Sequence, residues 1–291
     1  DAGDGENIVF GDLGEVAAAA ALDAPQLAGL AMTIAAIRSQ TTLSGGSDTL
    51  ITGAGGDVVL GGLGNDGIDA GQGANLVFGD NGELLTGTGA ANLGALPLEL
   101  LSAVTLTEAN GGDDTVTTGL GEDIVLGGAG GDTITTDMTD GTGGTDGADI
   151  VLGDVGRVTW VNAEDGSTDL AQEIETTDWR HGGDDVISSG ASNDLVIGGT
   201  GRDRILAGAG NDLVMGDHAR IAGDIDETAL PLTLGVMPFD VRATFTGGDR
   251  MGGNDTVFAG AGQDLVMGQQ GDDWLFGEAG DDDLIGGHNV D

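Results

Sequence analysis

The chain has 291 residues, a net charge of −42 at neutral pH, no lysine and no cysteine. A surface this acidic repels a phosphate backbone and lacks the basic patch that holds anionic lipid, which argues against nucleic-acid binding and membrane attachment. Disulfides and thiolate metal sites are excluded, and no apolar run approaches the roughly 20 residues of a membrane span. The acids are biased, 39 Asp against 11 Glu, and sit with the 59 glycines at fixed intervals, an arrangement suited to ligands rather than to a solvated tail.

In chain order, residues 2–12 close a short glycine-rich run on Asn7-Ile8-Val9-Phe10-Gly11-Asp12. A segment of different composition, 13–42, follows, with alanine-rich stretches Val16 to Ala21 and Leu27 to Ile37 that suggest a short helix. The run at 43–82 contains Gly61-Gly62-Leu63-Gly64-Asn65-Asp66-Gly67-Ile68-Asp69, which fits G-G-x-G-x-D-x-U-x, U being a large aliphatic residue, at every fixed position. Its sixth positions are Asp48, Asp57, Asp66 and Asn75. The excursion 83–108 leads to a run at 109–156 with Asp114, Asp123, Asp132 and, after an eight-residue insertion at 136–143, Asp149. The excursion 157–179 leads to the run 180–217 with Asp185, Asp194, Asp203 and Asp212. The excursion 218–249 leads to the run 250–287 with Asp255, Asp264, Asp273 and Asp282. Counting Asn7, 15 of 17 sixth positions are Asp, and all 17 residues two places further on are aliphatic, so the register is not a by-product of composition.

The spacing predicts a mechanism. Glycines at the first, second and fourth positions permit a tight turn with positive φ, Asp closes it, and three strand residues follow with the eighth position pointing inward. Turn and strand then alternate, so that turns stack two nonapeptides apart and all even strands form one sheet. Positions seven and nine of that sheet are apolar (Val58 and Leu60, Leu76 and Phe78, Leu126, Leu152, Ile197, Met215), whereas the other sheet carries residues such as Thr49, Thr115 and Thr133. A sheet apolar on both faces needs a cover, and the excursions supply candidates in Leu30, Ile34, Leu98, Val104, Val158 and Val236. Their ends alternate as strands do, at Arg157 to Asn162, Glu173 to Thr177, Ala103 to Thr107 and Val241 to Thr246.

The repeat resembles the RTX, or hemolysin-type, family of calcium-binding nonapeptides, over just over half the chain. The resemblance implies an all-β fold, a parallel β-roll solenoid stabilised by multiple Ca²⁺ ions. The excursions depart from the plain family pattern and are expected as hairpin-like additions; the chain, which begins inside a repeat and stops as if another turn should follow, reads as one continuous array cut from a longer one. It makes the sixth-position residues metal ligands, paired Asp48 with Asp66, Asp114 with Asp132, Asp123 with Asp149, Asp185 with Asp203, Asp194 with Asp212, Asp255 with Asp273 and Asp264 with Asp282. Asp57 pairs with the neutral Asn75, a weaker site. Asp12, Asp80, Asp154 and Asp217, at the second position of a turn, read as turn-stabilising residues rather than extra ligands. Trp160 and Trp179 read as packing residues, and His181, His218 and His288 as solvated loop residues. No catalytic constellation stands out. The expected function is a structural segment of a large secreted bacterial surface protein, an adhesin, surface-layer or filament protein that is extracellular and rigid in calcium. Its partners would be calcium ions, with other copies of itself or cell-surface components left open. The alternatives are a non-catalytic tail of an RTX toxin or hydrolase and, below that, ice binding.

Overall fold

The computed structural model describes residues 1–18, 34–40, 45–86, 100–106, 111–137, 146–160, 171–225, 240–243 and 252–288. Within them it is all-β, built of three sheets. Two parallel sheets form the walls of a roll. The first, here the covered sheet, contains Ile8–Phe10, Val58–Leu60, Leu76–Phe78, Ile124–Gly128, Ile150–Asp154, Leu195–Ile197, Leu213–Met215, Leu265–Gln270 and Asp283–His288. The second, the open sheet, contains Thr49–Ile51, Gly67–Asp69, Thr115–Thr117, Thr133–Thr135, Val186–Ser188, Arg204–Ala209, Thr256–Gly262 and Trp274–Gly280.

Strands go alternately to the two walls because a glycine turn reverses the chain once in each nonapeptide. The eighth position of each repeat points between the walls. Val59, Val77, Val116, Val125, Ile134, Val151, Ile187, Val196, Ile205, Val214, Val257 and Val266 are all fully buried in one core. The register carries across the excursions without slip: Val77 lies opposite Val125, Val151 opposite Val196, and Val214 opposite Val266. A one-residue slip would turn this row outward, so the aliphatic eighth position itself fixes the pairing.

The turns adopt the backbone that the motif requires, with a division of labour among its glycines. In many turns the second and fourth positions hold positive φ, as at Gly62 (φ 120°) and Gly64 (φ 111°), and the substituted positions Ser192, Gln269 and Glu278 do the same. The first-position glycines lie outside that region. They are glycine for lack of room: a Cβ on Gly61 would stand 1.9 Å from the carbonyl oxygen of Gly79.

The excursions form the third sheet. Each is an antiparallel hairpin: Gly14–Ala18 with Ile34–Ser39, Gly82–Thr86 with Leu100–Thr105, Gly156–Trp160 with Ala171–Thr176, and Ala219–Ile225 with Asp240–Ala243. Neighbouring hairpins pair with one another, giving an eight-stranded meander. One register row, Ile37, Leu84, Ala103, Val158, Ile174 and Ile221, is wholly buried. It packs in a second core on Leu60, Phe78, Leu126, Leu152, Ile197 and Met215 of the covered sheet. The adjacent outward row carries Glu15, Arg38, Glu83, Arg157, Glu175 and Arg220, which pair across strands, as in Arg38–Glu15 at 2.8 Å.

The excursions thus bury the even sheet, and Thr49, Thr115 and Thr133 of the open sheet face outward. Three expectations change, and one falls outside the described residues. The alanine-rich stretches are strands where they are described, at Gly14–Ala18 and Ile34–Ser39, because β pairing with the neighbouring hairpin satisfies their backbone and buries Ile34 and Ile37. Val104 is only half-buried; the alternation puts Ala103 on the core face instead. Leu30, Leu98 and Val236 lie outside the described residues. His218 is no solvated loop residue: it is 2 % exposed, with its ring nitrogens 3.2 Å from the hydroxyls of Thr176 and Thr200.

Candidate metal centre

The sixth-position residues stack into two ladders, one along each flank of the roll. On the flank from which the excursions leave, the ladder runs Asp48, Asp66, Asp114, Asp132, Asp185, Asp203, Asp255, Asp273. The backbone N–H of each donates to Oδ1 of the next at 2.7–3.1 Å. On the opposite flank Asn7, Asp57, Asn75, Asp123, Asp149, Asp194, Asp212, Asp264 and Asp282 repeat the pattern at 2.7–3.2 Å. All eight pairs expected from the sequence are direct neighbours. The ladders also join residues of different runs, such as Asp66 with Asp114 and Asp132 with Asp185, which nonapeptide counting kept apart.

One hydrogen bond per carboxylate leaves the second oxygen. In Asp66, Asp114, Asp132, Asp185, Asp203 and Asp255 on the first flank, and Asp57, Asp194, Asp212 and Asp264 on the second, Oδ2 is buried without a hydrogen-bond partner. An unpaired buried polar atom costs about 1–3 kcal/mol, and more for a charged one. A cation along each line would offset that cost, repeated ten times over the two flanks.

The two asparagines supply the comparison. Asn75 Nδ2 donates to the carbonyl oxygens of Gly71 (3.4 Å) and Gly73 (2.8 Å), the second and fourth positions of its own turn. Asn7 does the same to Gly3 (3.0 Å) and Gly5 (2.7 Å). The sixth side chain therefore sits over the turn carbonyls. An aspartate in its place offers those carbonyls no hydrogen and adds a lone pair, and a cation is what reconciles carboxylate and carbonyl oxygens. The donor set, carboxylates with main-chain carbonyls and no soft ligand, is that of a hard ion of variable coordination such as Ca²⁺. Among the described residues no three His, Cys, Asp or Glu side chains converge, so each site would draw on the backbone for part of its shell.

Electrostatics agree. Burial, ahead of repulsion from neighbouring aspartates, pushes the Asp114 and Asp203 carboxyls up to about 9 and those of Asp194 and Asp255 to about 8. A bound cation would reverse that shift.

Four runs of this chain, residues 43–83, 108–136, 181–216 and 264–287, match the family model of the RTX calcium-binding nonapeptide repeat. These are RTX calcium-binding repeats. RTX nonapeptides bind calcium, and the ions are the cofactor of this fold. No curated protein matches the chain.

Around the RTX ladders lie residues whose roles the motif does not show. Asp80 and Asp217, buried at 5 % and 1 % exposure, stand where the chain leaves for an excursion. Asp217 Oδ1 accepts from the N–H of Gly253, where the chain returns, and Oδ2 from Gln270 in the next turn. Asp80 holds Gly112 and Ala129 likewise, and Asp12 holds Leu63. With both oxygens occupied, Asp80 and Asp217 are staples across the mouths of their excursions. Thr118 and Thr136, at the first position of their turns, donate hydroxyl hydrogens to Oδ2 of Asp123 and Asp149. Thr136 therefore belongs to the RTX turn, and the insertion begins after it. The sequence does contain the signal: the first position is glycine in turns leaving the covered sheet, but Thr52, Ala70, Thr118, Thr136, Ser189, Ala207 and Ala259 in turns entering it, Gly277 in the last turn being the exception. Trp160 packs in the core beneath the excursion sheet, while Trp179 is half-buried under the guanidinium of Arg180, 4.2 Å from its ring centroid.

Proposed function

We propose that this chain is a non-catalytic structural segment of a large secreted bacterial surface protein, an adhesin, surface-layer or filament protein, which folds and rigidifies in extracellular calcium. Its metal ligands are the aspartates with an unpartnered Oδ2, namely Asp57, Asp66, Asp114, Asp132, Asp185, Asp194, Asp203, Asp212, Asp255 and Asp264, together with Asp48, Asp273 and Asp282 at the ends of the ladders. The observation that carries this reading is the row of buried, unsatisfied carboxylate oxygens, in a position from which asparagine, but not aspartate, can donate a side-chain hydrogen to the turn carbonyls.

Binding energy available only to the ordered roll is folding energy. Where calcium is scarce, the ladders repel and the chain stays extended, in a form suited to export; where calcium is abundant, the same residues lock into a rod. An array of this kind presents length and stiffness rather than a cleft, which suits a stalk or lattice element.

Circular dichroism tests it. In EGTA the chain should lose its β signal and expand, and millimolar Ca²⁺ should restore it. Equal Mg²⁺ should not, since Mg²⁺ demands a stricter octahedron and dehydrates reluctantly. A spectrum unchanged by EGTA would refute the reading.

A further inference from the structure

The two flanks are not chemically equivalent. Along the excursion-side ladder every first turn position is glycine, and the space beside Oδ2 is kept open by that glycine. A Cβ on Gly79 would stand 2.6 Å from Asp114 Oδ2, and one on Gly127 2.5 Å from Asp132 Oδ2. Along the opposite ladder most first positions carry a side chain, and in the middle of that ladder the chain provides its own hydrogens. Asn75 covers its turn carbonyls with Nδ2. The adjoining Asp123 and Asp149 have both oxygens occupied, Oδ1 by backbone N–H groups and Oδ2 by the hydroxyls of Thr118 and Thr136. The choice differs at Asp57, where the equivalent hydroxyl of Thr52 turns away, to the carbonyl of Ala70 (2.6 Å), and Oδ2 is left without a partner.

We infer that Asn75, Asp123 and Asp149 form a metal-free seam, in which amide and hydroxyl hydrogens stand where calcium stands elsewhere, so that calcium loads the roll unevenly: along the whole excursion-side flank, but only on either side of this seam on the other. The inference rests on the calcium reading above. A seam wired by neutral donors keeps three successive coils on one flank paired when ion occupancy is partial. The middle of the array, between the hairpins at 82–105 and 156–176, then becomes the place from which the rest orders as calcium arrives.

Native mass spectrometry of the whole chain at saturating calcium reads the partition. Asp123→Asn and Asp149→Asn should bind as many ions as the wild type, whereas Asp132→Asn and Asp185→Asn should each bind at least one fewer. Thr118→Gly combined with Thr136→Gly should gain ions, because it removes the hydroxyls and opens the space beside both carboxylates. Loss of an ion in Asp123→Asn equal to that in Asp132→Asn would overturn the seam while leaving the calcium reading intact. A wild type that binds no calcium would overturn both.

Discussion

Gly61→Ala isolates the close approach on which the coil stacking depends. Gly61 donates its N–H to Phe78 O at 2.9 Å, and the next residue, Gly62, donates to Gly79 O at 3.2 Å, so the two coils are tied together at this point. A methyl group there would meet Gly79 O at 1.9 Å and Asp66 Oδ2 at 2.7 Å, the first more than 1 Å inside the 3.0 Å below which real Cβ atoms are essentially never found. The backbone on both sides is pinned, so relief requires the coils to part. Overpacking of this kind costs about 1–3 kcal/mol, and one weakened interstrand hydrogen bond adds roughly 0.5–1.5 kcal/mol. The methyl group also fills the space beside Asp66 Oδ2 that the proposed ion needs. Gly46→Ala is the control: it lies in the turn stacked beneath, and nothing stands within 4 Å of its Cβ position. In a calcium titration followed by circular dichroism, about 2–4 kcal/mol would shift the folding midpoint far outside that of Gly46→Ala, and the variant should bind at least one fewer ion. Coincident titrations for the two variants would refute the steric argument and the cradle with it.

The calcium-free chain should fold on acidification. Burial pushes Asp66 up to about 6, Asp132 and Asp255 to about 8, and Asp114 and Asp203 to about 9, from 3.8 in the unfolded chain. The folded form therefore binds more protons, so this stabilisation is fully present below about pH 4 and is lost as pH rises through about 6 to 9; dichroism in calcium-depleted buffer should show β structure gained from pH 9 to pH 5, and the opposite trend would contradict the burial of these carboxylates. Asp217→Ala removes two hydrogen bonds from a buried carboxylate to backbone N–H groups and should destabilise the calcium-loaded chain by about 2–4 kcal/mol in thermal or denaturant unfolding. Its calcium stoichiometry should equal the wild type's, while Asp203→Ala should lose ions; an ion lost in Asp217→Ala would make this carboxylate a ligand rather than a staple.

Much of the roll was legible because its physics is local and repeats. Positive φ at Gly62 and Gly64, an inward Val59 and a carboxylate at Asp66 are each fixed by residues within one nonapeptide, so the register at the sixth and eighth positions already contains the turn, the strand and the flank on which each aspartate lies. The demand for a cover followed from Leu60, Phe78 and Leu126 by alternation alone. Even the exit of each hairpin has a short signature, Gly-Asp-x-Gly/Ala-Glu/Arg-aliphatic, which places Val16, Leu84, Val158 and Ile221 on one buried or packed row and Glu15, Glu83, Arg157 and Arg220 on the outward one.

What the tertiary structure decided is where distant segments meet. That Asp66 follows Asp114, 48 residues away, depends on an excursion leaving the ladder and returning to it in register. The excursions share no motif across their lengths, and whether the alanine-rich first one became helix or strand turned on the neighbouring hairpin against which Ile37 pairs with Leu84. His218 is buried because the third and fourth hairpins and the turn at Thr200 close around it, which no local spacing announces. The partition of the ladders was decided the same way: the sequence determines that aspartates line both flanks, but only the fold brings the Thr118 and Thr136 hydroxyls onto two of them and leaves Oδ2 of ten others without a partner. Local conformation is set by each residue's own backbone and side chain, whereas the satisfaction of a buried charge depends on every atom the folded chain brings within reach of it.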